Sequence, residues 1–176
     1  MNGAVVKTGW YAARVKYRTE QKIKALLEAA GTQHFIPLKT VETARNGKKT
    51  RREKPLIPCL MFVYADRKTV LKLPATTGFT INYIRHTDTK QLHIIPDKQM
   101  QDFMRVVDLS ETGGIEILTA NLKRGDKVRV VRGVFSGIEG ELIRVKGHKR
   151  VVVRLEGLVS LATTYIPTDF LELIQE

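Results

Sequence analysis

The hydrophobic positions of this chain change period once. Up to about residue 110, stretches with the period of a helix alternate with short apolar runs; from about residue 121 the period is two. In the first part, residues 9–15 read as a strand and residues 19–30 as a helix. Ile23, Leu26, Leu27 and Ala30 make the helix's apolar stripe, Thr19 stands at its N-cap and Gly31 just past its end. Residues 35–38 read as a short strand. Residues 42–54 hold no apolar residue beyond Ala44 and contain Asn46-Gly47, which predicts a hairpin tip or a disordered loop. A buried strand follows at 60–64, then a short helix at 66–73 that ends before Pro74, a strand at 80–85, and a helix at 96–109 with Met100, Phe103, Met104 and Val107 on one face.

In the second part, residues 127–132, 140–145, 150–155, 158–163 and 170–173 read as five strands. In the third of these, Val151, Val153 and Leu155 face one way and Arg150, Val152 and Arg154 the other. The expected fold class is α+β. Residues 1–110 form an α/β sandwich, an antiparallel sheet with helices; 111–120 are a linker carrying Gly113-Gly114; 121–176 form a small five-stranded β-barrel.

Charge narrows the choice of partner. The net charge is +12 and the sequence pI about 10.0, and residues 1–110 hold 20 Lys and Arg against 9 Asp and Glu. Such a surplus favours nucleic acid, an anionic membrane or an acidic protein. A membrane is disfavoured, because no stretch is long and apolar enough to span one and the clear amphipathic helix lacks bulky aromatic anchors. The lone cysteine, Cys59, allows no internal disulfide and sits in an apolar run, and no apolar leader follows the N-terminus; both suit the cytoplasm. His34, His86, His93 and His148 lack metal-ligand spacing, and the glycines at 133–140 precede no helix that would make a phosphate cradle. No catalytic constellation, cofactor motif or metal site is expected.

Three stretches, in order, carry a resemblance: Trp10-Tyr11 opening the first strand; the basic run Arg45 to Arg52 leading into Pro55-Leu56-Ile57-Pro58-Cys59-Leu60-Met61-Phe62-Val63; and the glycine-punctuated module from Leu122 to Leu173. Together they resemble the NusG family of transcription elongation factors. Gly47-Lys48-Lys49-Thr50 before Pro55-Leu56-Ile57-Pro58 is similar to the specialised RfaH-like branch that serves capsular-polysaccharide operons. The resemblance implies an NGN-like domain that grips RNA polymerase and an SH3-like KOW barrel, in a monomeric antitermination factor that makes and breaks no bond. A general NusG acting at all genes and a ribosome-associated KOW protein that binds RNA remain alternatives.

It also implies sites. Trp10, Tyr11, Ile57, Pro58 and Leu60 match the pocket that seats the polymerase clamp helices, although they would equally make a plain core. Lys16, Tyr17, Arg18 and Lys22 match a contact to the non-template DNA strand, cations for phosphate and a ring for a base. Arg45, Lys48, Lys49, Arg51 and Arg52 would reach upstream duplex DNA or keep a hairpin soluble. Val134, Phe135 and Ile138, near turns shaped by Gly133, Gly137 and Gly140, match a loop that docks a small-subunit ribosomal protein or a termination factor; Phe135 fits a core equally well. In RfaH, which typifies the specialised branch, this module can refold as a helical hairpin. Here its many Val and Gly residues resist helix, so a stable barrel is expected.

Overall fold

A computed structural model describes residues 7–45, 47–112, 114–118 and 124–175. Asn46, Gly113 and residues 119–123 lie outside this set, and with them parts of the expected turn, linker and barrel entry. The chain divides into two compact units, Met1–Asp97 and Lys98–Glu176.

In the first unit the elements run β1 (Thr8–Val15), α1 (Glu20–Ala29), β2 (His34–Phe35), β3 (Leu38–Arg45), β4 (Lys48–Pro55), β5 (Leu60–Asp66), α2 (Arg67–Thr77), β6 (Ile81–Tyr83) and β7 (Ile94–Ile95). A five-stranded antiparallel sheet has the order β2-β5-β1-β6, with β7 on the other end of β1. β1 is central. Its residues 9–13 are buried on both faces, so it shows no amphipathic alternation. Ala13, Val15, Met61, Val63 and Ile81 pack with Ile23 and Leu27 of α1 and Leu73 of α2.

The helices differ from expectation in instructive ways. On α1 the inward stripe is Glu20, Ile23 and Leu27; Leu26 is 41% exposed, because it lies one residue, or about 100°, off that stripe. The Thr19 hydroxyl donates to Lys16 O and gives α1 no cap. Gly31, at φ +62°, donates to Glu28 O at 3.0 Å while Thr32 N donates to Leu27 O at 2.9 Å, the paired bonds of a glycine-closed helix end. α2 does not stop before Pro74 but continues to Thr77. Asp66 caps its start by accepting from Thr69 N, Val70 and Leu73 anchor it, and Gly78 at φ +70° closes it. Tertiary packing outweighs the one hydrogen bond that Pro74 removes.

β3 and β4 form a separate antiparallel two-stranded sheet, so residues 42–45 and 48–54 are the paired strands of a hairpin and not a disordered loop.

The second unit holds α3 (Asp97–Asp108, beginning at the boundary), β8 (Glu116–Leu118), β9 (Asp126–Val130), β10 (Glu139–Val145), β11 (His148–Leu155), β12 (Val159–Tyr165) and β13 (Leu171–Leu173). Its six-stranded antiparallel sheet has the order β13-β9-β10-β11-β12-β8. Five strands fall close to the expected ranges. β8 was not anticipated: three residues from the stretch read as a linker pair with β12. Both faces of β11 are apolar at their centre, because Val152 packs with Ile143, Val145 and Ala162 while Val151 and Val153 are buried opposite. Arg150 and Arg154 on that strand are paired with Glu116 and Glu141. Gly133 and Gly137 have φ of +81° and +88°, as the turn requires, but Gly140 acts differently: a Cβ there would lie 2.6 Å from Val152 O, so glycine permits the close approach of β10 and β11.

β8 pairs with β12 and carries an acid met by two cations. Glu116 meets Lys146 at 2.6 Å and Arg150 at 3.0 Å, and hydrogen bonding from Lys146 is the main cause that holds its carboxyl below the usual glutamate range. A carboxyl whose pKa is lowered by folding adds stability above its unfolded value and loses it as the pH falls through the folded one. Glu116→Gln should therefore lower the Tm at neutral pH, with the gap to the parent closing in strongly acid solution. Hydrogen exchange at residues 116–118 should accelerate in the variant at neutral pH; unchanged exchange there would show that the two ion pairs do not hold the strand.

Candidate functional site

The apolar residues expected to form a polymerase pocket lie mostly inside the molecule. Trp10 is 4% exposed, Tyr11 2%, Ile57 8% and Leu60 0%. Only Pro58 of the five is exposed. Trp10 and Tyr11, being adjacent on a strand, point to opposite faces. Trp10 sits beside Tyr64, ring centroids 5.3 Å apart, whereas Tyr11 packs with Val70 and Leu92. Burial raises the Tyr11 phenol pKa, an effect opposed by Arg67.

What presents Pro58 is a turn that sequence reasoning missed. Glu20, the first residue of α1, is 2% exposed and its Oε1 accepts from Cys59 N at 3.0 Å. Cys59 O in turn accepts from Val15 N at 3.0 Å, and Cys59 sits at φ +62°. A left-handed conformation is costly for a residue with a Cβ, and the buried carboxylate helps to hold it. The available signal was an acidic residue three and seven positions before Ile23 and Leu27, in register with the apolar stripe.

The cations beside this turn are brought together. Lys16, Tyr17 and Arg18 make the β1–α1 connection and Lys22 lies in the first turn of α1; all four are exposed, Tyr17 at 61%. Arg18, at φ +66°, places its guanidinium carbon 5.2 Å from the Tyr17 ring centroid. Arg14, two residues earlier on β1, is also exposed. The result is a cationic turn with one ring on offer, suited to a single-stranded polyanion.

The hairpin cations split. Arg51 pairs with Glu42 at 2.9 Å, and Glu53 is met by Lys24 of α1 at 3.5 Å. Lys48, Lys49 and Arg52 are exposed, and Arg45 pairs with Lys48 in the backbone register.

In the second unit the loop at 133–138 is folded inward. Phe135 is 8% exposed and Ile138 0%, leaving Val134, at 66%, as the accessible apolar side chain of the three. α3 holds this loop through its backbone. Lys98 Nζ donates to Gly137 O at 3.0 Å, Arg105 donates to Ser136 O and to Val134 O, and Asp102 Oδ2 accepts from Glu139 N at 3.2 Å. Asp102 is 6% exposed and also meets Lys98 at 2.6 Å. Sequence reading took α3 to have one apolar face. Val106 and Asp102 form a second buried stripe that no hydrophobic period reveals. His86 and His93 stack at 4.5 Å across the turn they bracket. Among the described residues no group of three or more His, Cys, Asp or Glu is placed to hold a metal ion, and no helix is long and apolar enough to cross a membrane.

The family model described as "Transcription termination factor nusG" matches residues 8–104 of the 176, which takes in the whole five-stranded sheet, the hairpin and most of α3. The chain belongs to the NusG family of transcription termination and antitermination factors. It is 26% identical to the transcription termination/antitermination protein NusG of Streptococcus pyogenes over 155 residues, covering 80% of this chain and 83% of the relative. The NusG of Lactococcus lactis subsp. lactis is likewise 26% identical over 155 residues, 80% of each chain. A solved structure on domain interaction in Thermotoga maritima NusG aligns with a TM-score of 0.49 at 17% identity, over 98% of this chain and 100% of that one.

The Glu20–Cys59 clip makes two opposite predictions. Cys59→Gly removes the left-handed strain and should raise stability by about 0.5–1 kcal/mol. Glu20→Ala strands a shielded N–H and should lower it by about 1–3 kcal/mol. Urea unfolding of both variants checks this; a loss of stability in Cys59→Gly would show that the side chain, not the backbone, matters at position 59.

Proposed function

We propose that this chain is a transcription antitermination and elongation factor that binds RNA polymerase at its clamp helices and suppresses pausing and termination at particular operons. The single observation that carries this reading is the family match across residues 8–104. Residues 1–110 are the polymerase-binding, NGN-like domain. Pro58 is its exposed apolar contact, and Trp10, Tyr11, Ile57 and Leu60 are the buried residues of the same proposed pocket. Lys16, Tyr17, Arg18 and Lys22 contact the displaced DNA strand, and the hairpin approaches upstream duplex. The effect is a population shift: preferential binding to the closed clamp favours that state over the paused one. The strands at 126–173 act as an SH3-like KOW barrel, and Val134 is the point at which a ribosomal protein or termination factor docks. The factor works in the cytoplasm as a monomer, without a cofactor.

A second reading, a general NusG acting at all genes, is favoured by the names of the relatives, which cover 80% of this chain. Genome-wide occupancy separates the two. Signal confined to a few long operons supports the specialist, and signal at nearly every transcribed gene supports the general factor.

The biochemical test uses the full chain and a reconstituted elongation complex. The parent chain should bind it. Reversing the charge of Lys16, Arg18 and Lys22 should weaken binding by about tenfold or more and flatten the salt dependence by about 2 in log–log slope. Failure of the parent chain to bind polymerase removes the reading altogether. Parent-like binding of the triple variant removes the strand contact alone.

A further inference from the structure

The β3–β4 hairpin carries seven Lys and Arg against two Glu between residues 38 and 55, and the cross-strand register sorts them. Paired residues share a face and neighbours along a strand alternate. One face carries Lys49 and Arg51 together with both acids, Glu42 and Glu53. There Arg51 is neutralised by Glu42, and Glu53 is held by Lys24, which turns the base of this face toward α1. The opposite face carries Lys39, Lys48, Arg52 and Lys54, with Arg45 at its remaining basic position. Its other positions are Val41, Thr43 and Thr50, so no carboxylate stands anywhere on it.

We propose that this second face alone is a docking surface for the phosphate backbone of a DNA duplex, and that the Lys49–Arg51 face braces the hairpin against α1. The proposal deepens the upstream-duplex contact proposed above and rests on that reading.

Dimensions support it. Six residue steps from Lys39 to Arg45 span about 20 Å. A duplex strand presents a phosphate about every 3.4 Å of axis, so roughly six lie within that reach. A two-stranded ribbon is also of a width that a major groove admits. A membrane is a poor occupant, since Val41 is the face's single aliphatic residue. Threonine at two of the three non-basic positions offers little to read bases, so the contact tracks backbone and not sequence.

The register supplies a matched pair of variants. Arg52→Gln/Lys54→Gln and Lys49→Gln/Arg51→Gln remove the same formal charge from opposite faces of the same hairpin, the second pair also freeing Glu42 from Arg51. Binding of the full chain to a labelled mixed-sequence DNA duplex of about 20 base pairs is followed by anisotropy through a salt titration, without polymerase. An RNA duplex of equal length is run in parallel, and thermal melts confirm that both variants stay folded. The Arg52/Lys54 pair should weaken binding by about tenfold and reduce the salt slope by about 2, while the Lys49/Arg51 pair should change affinity less than about twofold. Face dependence on the DNA duplex supports the proposal, and face dependence on the RNA duplex alone would overturn it. Equal losses from the two pairs would mean that net charge alone is felt, and would overturn it. So would no loss from the Arg52/Lys54 pair, or equal competition by polyglutamate at matched charge. Because polymerase is absent, failure here leaves the polymerase-binding reading to its own test.

Discussion

β1 has β5 bonded along one edge and β6 and β7 along the other, with side chains buried on both faces, so its backbone and side chains are committed to the interior. The β1–α1 connection and the turn at Cys59 meet at its end. Val15, its last residue, donates to Cys59 O, and the next residues are Lys16, Tyr17 and Arg18. Glu20 then reaches back to Cys59 N. A basic turn and an apolar turn far apart in sequence are thus fixed side by side through two hydrogen bonds to one residue. A group presented this way loses less conformational entropy on binding than one on a free loop.

The same constraint explains why an apolar residue in this family pattern is a poor marker of a contact surface. Trp10 and Leu60 belong to strands paired in register, Trp10 opposite Tyr64 and Arg14 opposite Leu60, and a strand buried on both faces must be apolar whether or not a partner exists. Hydrophobicity reports burial without saying against what. Charge and exposure discriminate better here: Pro58, Tyr17 and the neighbouring cations remain at the surface after the sheet has taken its share.

How much was legible in the sequence follows from which interactions are local. Elements set by period and by local punctuation were readable: α1 with Gly31, the apolar side of α3, and five strands of the second unit. What failed depended on partners distant in the chain. Pro74 argues for a helix end, but burial of Val70 and Leu73 carries α2 past it. β8 is three residues whose strand character exists only because β12 and two cations lie beside it. Glu20 and Asp102 are buried acids, and a rule that places charge at the surface assigns both to solvent; each is instead used on backbone N–H groups 37 or more residues away. At the site, the residue types and the two basic clusters were readable, whereas the pairing of Cys59 with Glu20 was not.

The basic hairpin shows how a structure can sharpen what composition leaves blunt. In sequence, Lys48, Lys49, Arg51 and Arg52 are four equivalent cations beside one turn. Period two separates them as soon as the partner strand is known, because Glu42 falls opposite Arg51 while Val41 falls opposite Arg52. An ion pair that is half exposed contributes little to stability. It nevertheless cancels the field of the face it occupies, and a polyanion that comes within about a Debye length responds to that field. The two acids of the hairpin therefore matter less for holding it together than for deciding which of its sides remains positive. That asymmetry gives a ribbon without an apolar core of its own a defined direction of approach.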